Sequence, residues 1–160
     1  MSFKKTIRRA NIVWLGMGLL MSNFVRATNC LVLGDSIAVG IKQGLPECVS
    51  QAKVGLSTRQ IIKVAPNQKY QIAIISTGSN DGENVSLLDL RILRSNVQAT
   101  RIVWVIPSHK LRASSFVKFI AREFGDYTIE INPVLSKDNI HPTYSGYKRL
   151  SLSLVNFFNL

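Results

Sequence analysis

Four short segments of this sequence carry the residue types that acyl transfer needs. Gly34-Asp35-Ser36 offers a hydroxyl at the start of a helical pattern. Unpaired N–H groups and the helix dipole favour developing negative charge there. Asp138-Asn139-Ile140-His141-Pro142 places a carboxylate three residues before an imidazole. In a turn, such a carboxylate reaches Nδ1–H and leaves Nε2 free to take a proton. Gly55 offers a backbone N–H with no Cβ in the way. Gly78-Ser79-Asn80-Asp81 adds a side-chain amide donor at Asn80. A serine hydroxyl is a weak nucleophile until a positioned base takes its proton. Preorganised donors then stabilise the oxyanion that forms. Ser36 is thus the candidate nucleophile, His141 the base and Asp138 the group that orients the base. Ser36 N–H, Gly55 N–H and the Asn80 amide are the candidate oxyanion donors. Taken singly, each segment has an ordinary reading as well: a helix cap, a turn glycine, a turn asparagine, a helix-start turn with an incidental histidine.

What could bring these segments together is a regular alternation of strands and helices. Apolar, β-branched runs at 30–33, 51–54, 72–75, 101–106 and 127–131 each stop near a Gly or Pro, which favours strand over helix. Amphipathic patterns at 36–43, 58–64, 86–97, 110–124 and 143–158 predict helices between and after them. Ser57 or Thr58 caps the second. Five such alternations predict an α/β fold: one five-stranded parallel sheet with helices on both faces. Ligands bind outside the carboxyl ends of the strands in such sheets. All four segments lie there, as does His109 after the fourth strand, a possible substrate contact. Asp35 and Asp81 read as loop hydrogen-bonding residues and Trp104 as core. Arg59, Lys63, Arg91 and Arg94 read as solvated helix faces.

The order and content of the four segments resemble the SGNH (GDSL-type) hydrolase superfamily, from about residue 30 to the C-terminus. The resemblance implies a flavodoxin-like three-layer α/β/α sandwich. It also implies Ser36 as nucleophile, Gly55 and Asn80 in the oxyanion hole, His141 as base and Asp138 as the triad acid. No metal or organic cofactor is implied. Ile37 stands where the family name implies Leu. The chain is short for the family, which implies trimmed loops and an open, shallow crevice. That favours a large or surface-displayed substrate such as an acetylated glycan over a lipid.

The first 27 residues read as an address rather than as fold. Of the 20 basic residues they hold five (Lys4, Lys5, Arg8, Arg9 and Arg26), and none of the nine acidic ones. Ile12 to Met21 is an uncharged apolar run, and Val25-Arg26-Ala27 fits a signal-peptidase site. This is the layout of a secretory signal peptide, cut after Ala27, touching the membrane transiently through residues 12–21. An uncleaved, loosely tethering anchor is the alternative, although the run is shorter than the ~20 residues of a stable span. The domain is then 28–160, periplasmic or secreted. Its 15 basic and 9 acidic residues give +6. In an oxidising compartment Cys30 and Cys48 can pair, or they can remain buried thiols; Cβ geometry decides.

Of 160 residues, 46% are apolar and 18% charged, which excludes a disordered chain. Two Cys and two His exclude a four-Cys zinc site and a His-rich metal centre. The basic residues lack the interleaved aromatics of a nucleic-acid binder. The expectation is a monomeric, exported serine esterase acting on an acylated carbohydrate or small ester, with peptidoglycan or another envelope glycan favoured. The alternatives are a thioesterase or lysophospholipase, which predicts an apolar groove beside Ser36, and a non-catalytic envelope glycan-binding protein.

Overall fold

The computed structural model describes residues 29–160. The expected signal segment, its cut after Ala27 and the 27/28 domain boundary lie outside the described residues. Five strands, β1 (Cys30–Gly34), β2 (Val49–Ala52), β3 (Tyr70–Ser76), β4 (Ala99–Ile106) and β5 (Tyr127–Glu130), form one sheet in the order β2-β1-β3-β4-β5. Every pairing is parallel. Five helices connect or follow them: α1 (Ser36–Lys42), α2 (Thr58–Val64), α3 (Leu87–Asn96), α4 (Ala113–Phe124) and α5 (Tyr144–Phe158). The α/β fold expected from the alternation is the one observed.

The central strands are buried on both faces, and their side chains divide by parity, as a period of two requires. Leu31, Leu33, Ala73, Ile75, Ile102 and Trp104 pack with Ile61 of α2, Leu90 and Leu93 of α3 and Val117 and Ile120 of α4. Val32, Ile72, Ile74, Val103 and Val105 pack with Ile37 and Ile41 of α1 and Leu150 and Leu154 of α5. Strand order reverses between β1 and β3, so helices leave to opposite faces there and a crevice opens at the carboxyl ends.

Two elements differ from the sequence expectation. β2 lies two residues earlier, because its register with β1 runs from Leu31↔Val49 to Gly34↔Ala52. It is a largely exposed edge strand, and apolar Val54, 68% exposed, belongs to the turn beyond it. Hydrophobicity therefore does not mark its end. α4 starts at Ala113 rather than Lys110, because residues 108–114 form tight turns: Leu111 N–H donates to Ser108 O (2.9 Å) and Ser114 N–H to Leu111 O (3.0 Å).

Trp104 is core, as expected, but its indole N–H still requires an acceptor. It donates to Asp126 Oδ2 at 2.9 Å. Asp126, only 5% exposed, is in turn paired with Arg94 at 2.6 Å. Arg94 is thus a largely covered partner of a buried carboxylate rather than a solvated residue. Leaving that carboxylate unpaired would be costly. Arg59–Asp89 (2.8 Å) and Arg91–Glu123 (2.9 Å) are more open pairs linking α2 to α3 and α3 to α4.

Cys30 and Cys48 are joined by a disulfide, with Cα atoms 4.7 Å apart. The bond ties the start of β1 to the residue before β2 and encloses α1. Closing a loop of this size stabilises the fold by ~3 kcal/mol through the unfolded chain. Replacing both cysteines by alanine is expected to lower the urea-unfolding free energy by about that amount; an unchanged midpoint would contradict the assignment.

Candidate active site

Gly34 ends β1 at φ +144°, and a Cβ built there would sit 1.9 Å from Ser76 O. The ends of β1 and β3 therefore approach more closely than any side chain permits. The next residue, Asp35, is fully buried. Its Oδ1 accepts from Ile37 N–H (3.0 Å), capping α1, and from Ser76 Oγ (2.8 Å). Asp35 N–H donates to Ser76 O at 3.2 Å. One carboxylate thus pins the Ser36-bearing turn to the end of β3. Ser36 is the first residue of α1, before the intrahelical ladder can satisfy its N–H.

The facing turn comes from the other end of the chain. Asp138 Oδ1 accepts from Ser136 Oγ (2.8 Å), Ile140 N–H (2.8 Å) and His141 N–H (2.9 Å). Oδ2 is left to accept from His141 Nδ1 at 2.8 Å. Ser136 N–H donates to His141 O (2.8 Å) and closes the loop. Asn139 takes a left-handed backbone (φ +60°), which Asn tolerates better than most residues. His141 Nε2 then meets Ser36 Oγ at 2.9 Å. With Nδ1–H given to the carboxylate, the network assigns Nε2 as the acceptor of the Ser36 hydroxyl. The structure thus brings Ser36, His141 and Asp138 into one hydrogen-bonded chain.

The N–H donors around Asp138 hold its carboxyl far below the ordinary 3.8. Backbone N–H of Ile140 and His141 dominate, followed by the His141 ring and Ser136, against a small opposing effect of burial. The His141 and Asp138 side chains are 41% and 49% exposed, so the chain of groups lies at an open rim.

Gly34 is register partner to both Ala52 and Ser76, so the loops after β1, β2 and β3 leave the sheet at one level. Gly55 lies three residues past β2 at φ +83°, with open space where a Cβ would stand. Asn80 Nδ2 donates to Leu56 O at 3.1 Å, joining the β3 loop to the β2 loop. Its second N–H remains available to a ligand. Asp81 anchors that loop, accepting from Thr58 N–H (2.9 Å) and from Thr58 Oγ1, which accepts from Thr77 Oγ1 (2.7 Å). Gly55 and Asn80 make no hydrogen bond to Ser36 among the described residues.

His109 stands at the carboxyl end of β4, outside that chain. Its N–H (3.0 Å) and Nδ1 (2.9 Å) both meet Asn132 Oδ1, and Asn132 Nδ2 donates to Glu130 Oε2 (3.0 Å). The Asn132 orientation makes Nδ1 the protonated nitrogen and leaves Nε2 open. Asn132 and Ser136 escaped the sequence reading. The signal for Ser136 is its position two residues before a loop carboxylate; nothing local marks Asn132.

No sequence-family model and no curated protein sequence matches the chain. Solved structures do. A GDSL-like lipase from Bacteroides thetaiotaomicron VPI-5482 superposes with TM-score 0.60 at 13% identity, over 83% of this chain and 88% of that one. A G-D-S-L family protein from Desulfitobacterium hafniense DCB-2 gives 0.57 at 16%, over 81% and 98%. The C-terminal catalytic domain of Streptococcus pneumoniae peptidoglycan O-acetyltransferase A, carrying a methylsulfonyl adduct, gives 0.58 at 18%, over 81% and 91%. The fold is that of the SGNH (GDSL-type) hydrolases. The likeness covers most of the described domain and is one of fold.

A carboxyl whose folded-state pKa is depressed contributes stability that is complete above its unfolded value and is lost as pH falls through the folded one. Asp138 is expected to stay ionised below pH 3.8, its ordinary value, when its side-chain carbon is followed by NMR. A midpoint at or above that value would contradict the hydrogen-bonding pattern.

Proposed function

We propose that the protein is an exported serine esterase that removes acyl groups, chiefly acetyl, from a carbohydrate, with peptidoglycan or another envelope polysaccharide as substrate. The observation that carries this reading is the chain of contacts from Ser36 Oγ to His141 Nε2 (2.9 Å) and from His141 Nδ1 to Asp138 (2.8 Å). Ser36 Oγ attacks the ester carbonyl carbon while His141 Nε2 takes the hydroxyl proton. The carbonyl electron pair moves to oxygen, which the N–H groups of Ser36 and Gly55 and the Asn80 amide receive. The tetrahedral species collapses, the carbon–oxygen bond to the sugar breaks, and His141 returns the proton to the departing alkoxide. Water then attacks the acyl-Ser36 ester with His141 as base, releasing the carboxylic acid and restoring the hydroxyl. Asp138 stays ionised throughout and balances the imidazolium.

Three observations support a glycan rather than a lipid. The His141 and Asp138 side chains are 41% and 49% exposed, an open setting. The apolar cavity of about 220 Å³, lined by Val103, Tyr127, Ile129, Leu154 and Phe157, lies against the last turns of α5. His141 is just before its first, and a 15-residue helix spans roughly 20 Å. The Streptococcus pneumoniae neighbour is named for peptidoglycan O-acetyl transfer. That name also favours a second reading, in which a sugar hydroxyl replaces water as acceptor. Export rests on the pattern of residues 1–27; no helix of the described residues is long and apolar enough to cross a membrane. His109, held by Asn132 through Nδ1 at the carboxyl end of β4, is the proposed substrate contact.

Ser36→Ala is expected to abolish hydrolysis of p-nitrophenyl acetate with an unchanged circular dichroism spectrum; retained turnover would remove Ser36 from its role. Asn80→Ala is expected to lower kcat by ~10²–10³ with little change in KM. An unaltered kcat would argue against an oxyanion donor at that position. Acetate release compared with transfer to an added oligosaccharide separates the two acceptor readings.

A further inference from the structure

Ser36 opens α1 and His141 lies three residues before α5, and the two helices pack side by side on one face of the sheet. A groove runs between them, and its lining begins at Gly40, four residues after Ser36, and Tyr144, three residues after His141. It is a cavity of about 180 Å³ lined by Gly40 of α1, by Gln43 and Gly44 just beyond it, and by Tyr144, Tyr147, Lys148 and Ser151 of α5. These α5 residues recur at helical spacing and so present one face. Tyr147 packs against α1: a Cβ on Gly40 would come within 2.3 Å of its ring. Tyr144, three residues after His141, is 86% exposed.

We infer that this groove is a sugar-binding subsite, in which the ring of Tyr144 stacks on one pyranose of the glycan while Gln43, Lys148 and the Tyr147 hydroxyl bond its substituents. The inference rests on the esterase reading and names where the polymer beyond the scissile ester lies. The chemistry fits a sugar: a flat aromatic surface for the apolar C–H face and a polar rim for the hydroxyls. The side chains around it end in phenol, amide, ammonium and hydroxyl groups, which can pair with sugar hydroxyls. Burial, with Asp35 and Asp138 adding to it, pushes the Tyr147 phenol up to about 12. Tyr147 therefore stays a neutral donor, and both carboxylates lie close enough to act on it. At 86% exposure Tyr144 adds little to the core, which leaves its ring free for a ligand.

The test compares kcat/KM for O-acetylated chitotetraose with kcat/KM for p-nitrophenyl acetate, in the parent and in Tyr144→Ala and Tyr144→Phe. The expected result is a glycan-to-small-ester ratio at least tenfold lower in Tyr144→Ala, mainly through KM, and near the parent value in Tyr144→Phe. A ratio unchanged by Tyr144→Ala, or a parent active on the small ester but not on the oligosaccharide, would overturn the subsite and leave the esterase standing. A parent inactive on both would overturn the esterase reading itself, and the subsite with it.

Discussion

The contact between Ser36 Oγ and His141 Nε2 joins residues 105 apart in sequence, and the arrangement of the domain bears on it. Ser36 opens α1 and His141 lies three residues before α5, so their separation depends on how closely those helices pack. Small residues set that distance. A Cβ on Gly40 would strike Tyr147, and one on Gly44 would come within 2.5 Å of Ser151. Ser151 Oγ also donates to Ile41 O at 3.0 Å, tying α5 to the last turn of α1. Close packing here transmits error: a helix displaced by 1 Å would stretch a 2.9 Å hydrogen bond beyond useful length.

Rigid turns complete the alignment. Asp35 Oδ1 caps α1 and accepts from Ser76, and so the residue serves position rather than proton transfer. Asp138 has three donors on one oxygen and the imidazole on the other, a division that fixes both the ring plane and its tautomer. Two neighbouring acids thus have separate environments, one buried and structural, the other open and facing the histidine. The open setting suits an imidazole that must gain and lose a proton against water and a bulky alcohol.

Much of this was legible because strand ends are marked by chemistry. Gly34, Gly78 and Pro107 stop apolar runs, and the segments that follow carry Ser36, Asn80 and His109. The Asp138–His141 spacing by itself suggested a carboxylate reaching Nδ1. What was not legible depends on partners remote in sequence. Arg94 resembles any outward helix cation until Trp104 and Asp126 are seen beneath it. The Asn132 grip on His109 crosses from β5 to the end of β4. β2 is an exposed edge strand, so its register comes from pairing with β1 rather than from its own pattern. The cysteine pair was open in the sequence because only the 4.7 Å Cα separation decides it.

The central claim is that His141, held by Asp138, makes Ser36 a nucleophile. Its most direct measurement is reaction of the native protein with phenylmethylsulfonyl fluoride, followed by peptide mass spectrometry. The account predicts a single sulfonyl adduct, on Ser36, whose rate of formation collapses in His141→Ala. No adduct on Ser36, or one that forms as fast without His141, would contradict it.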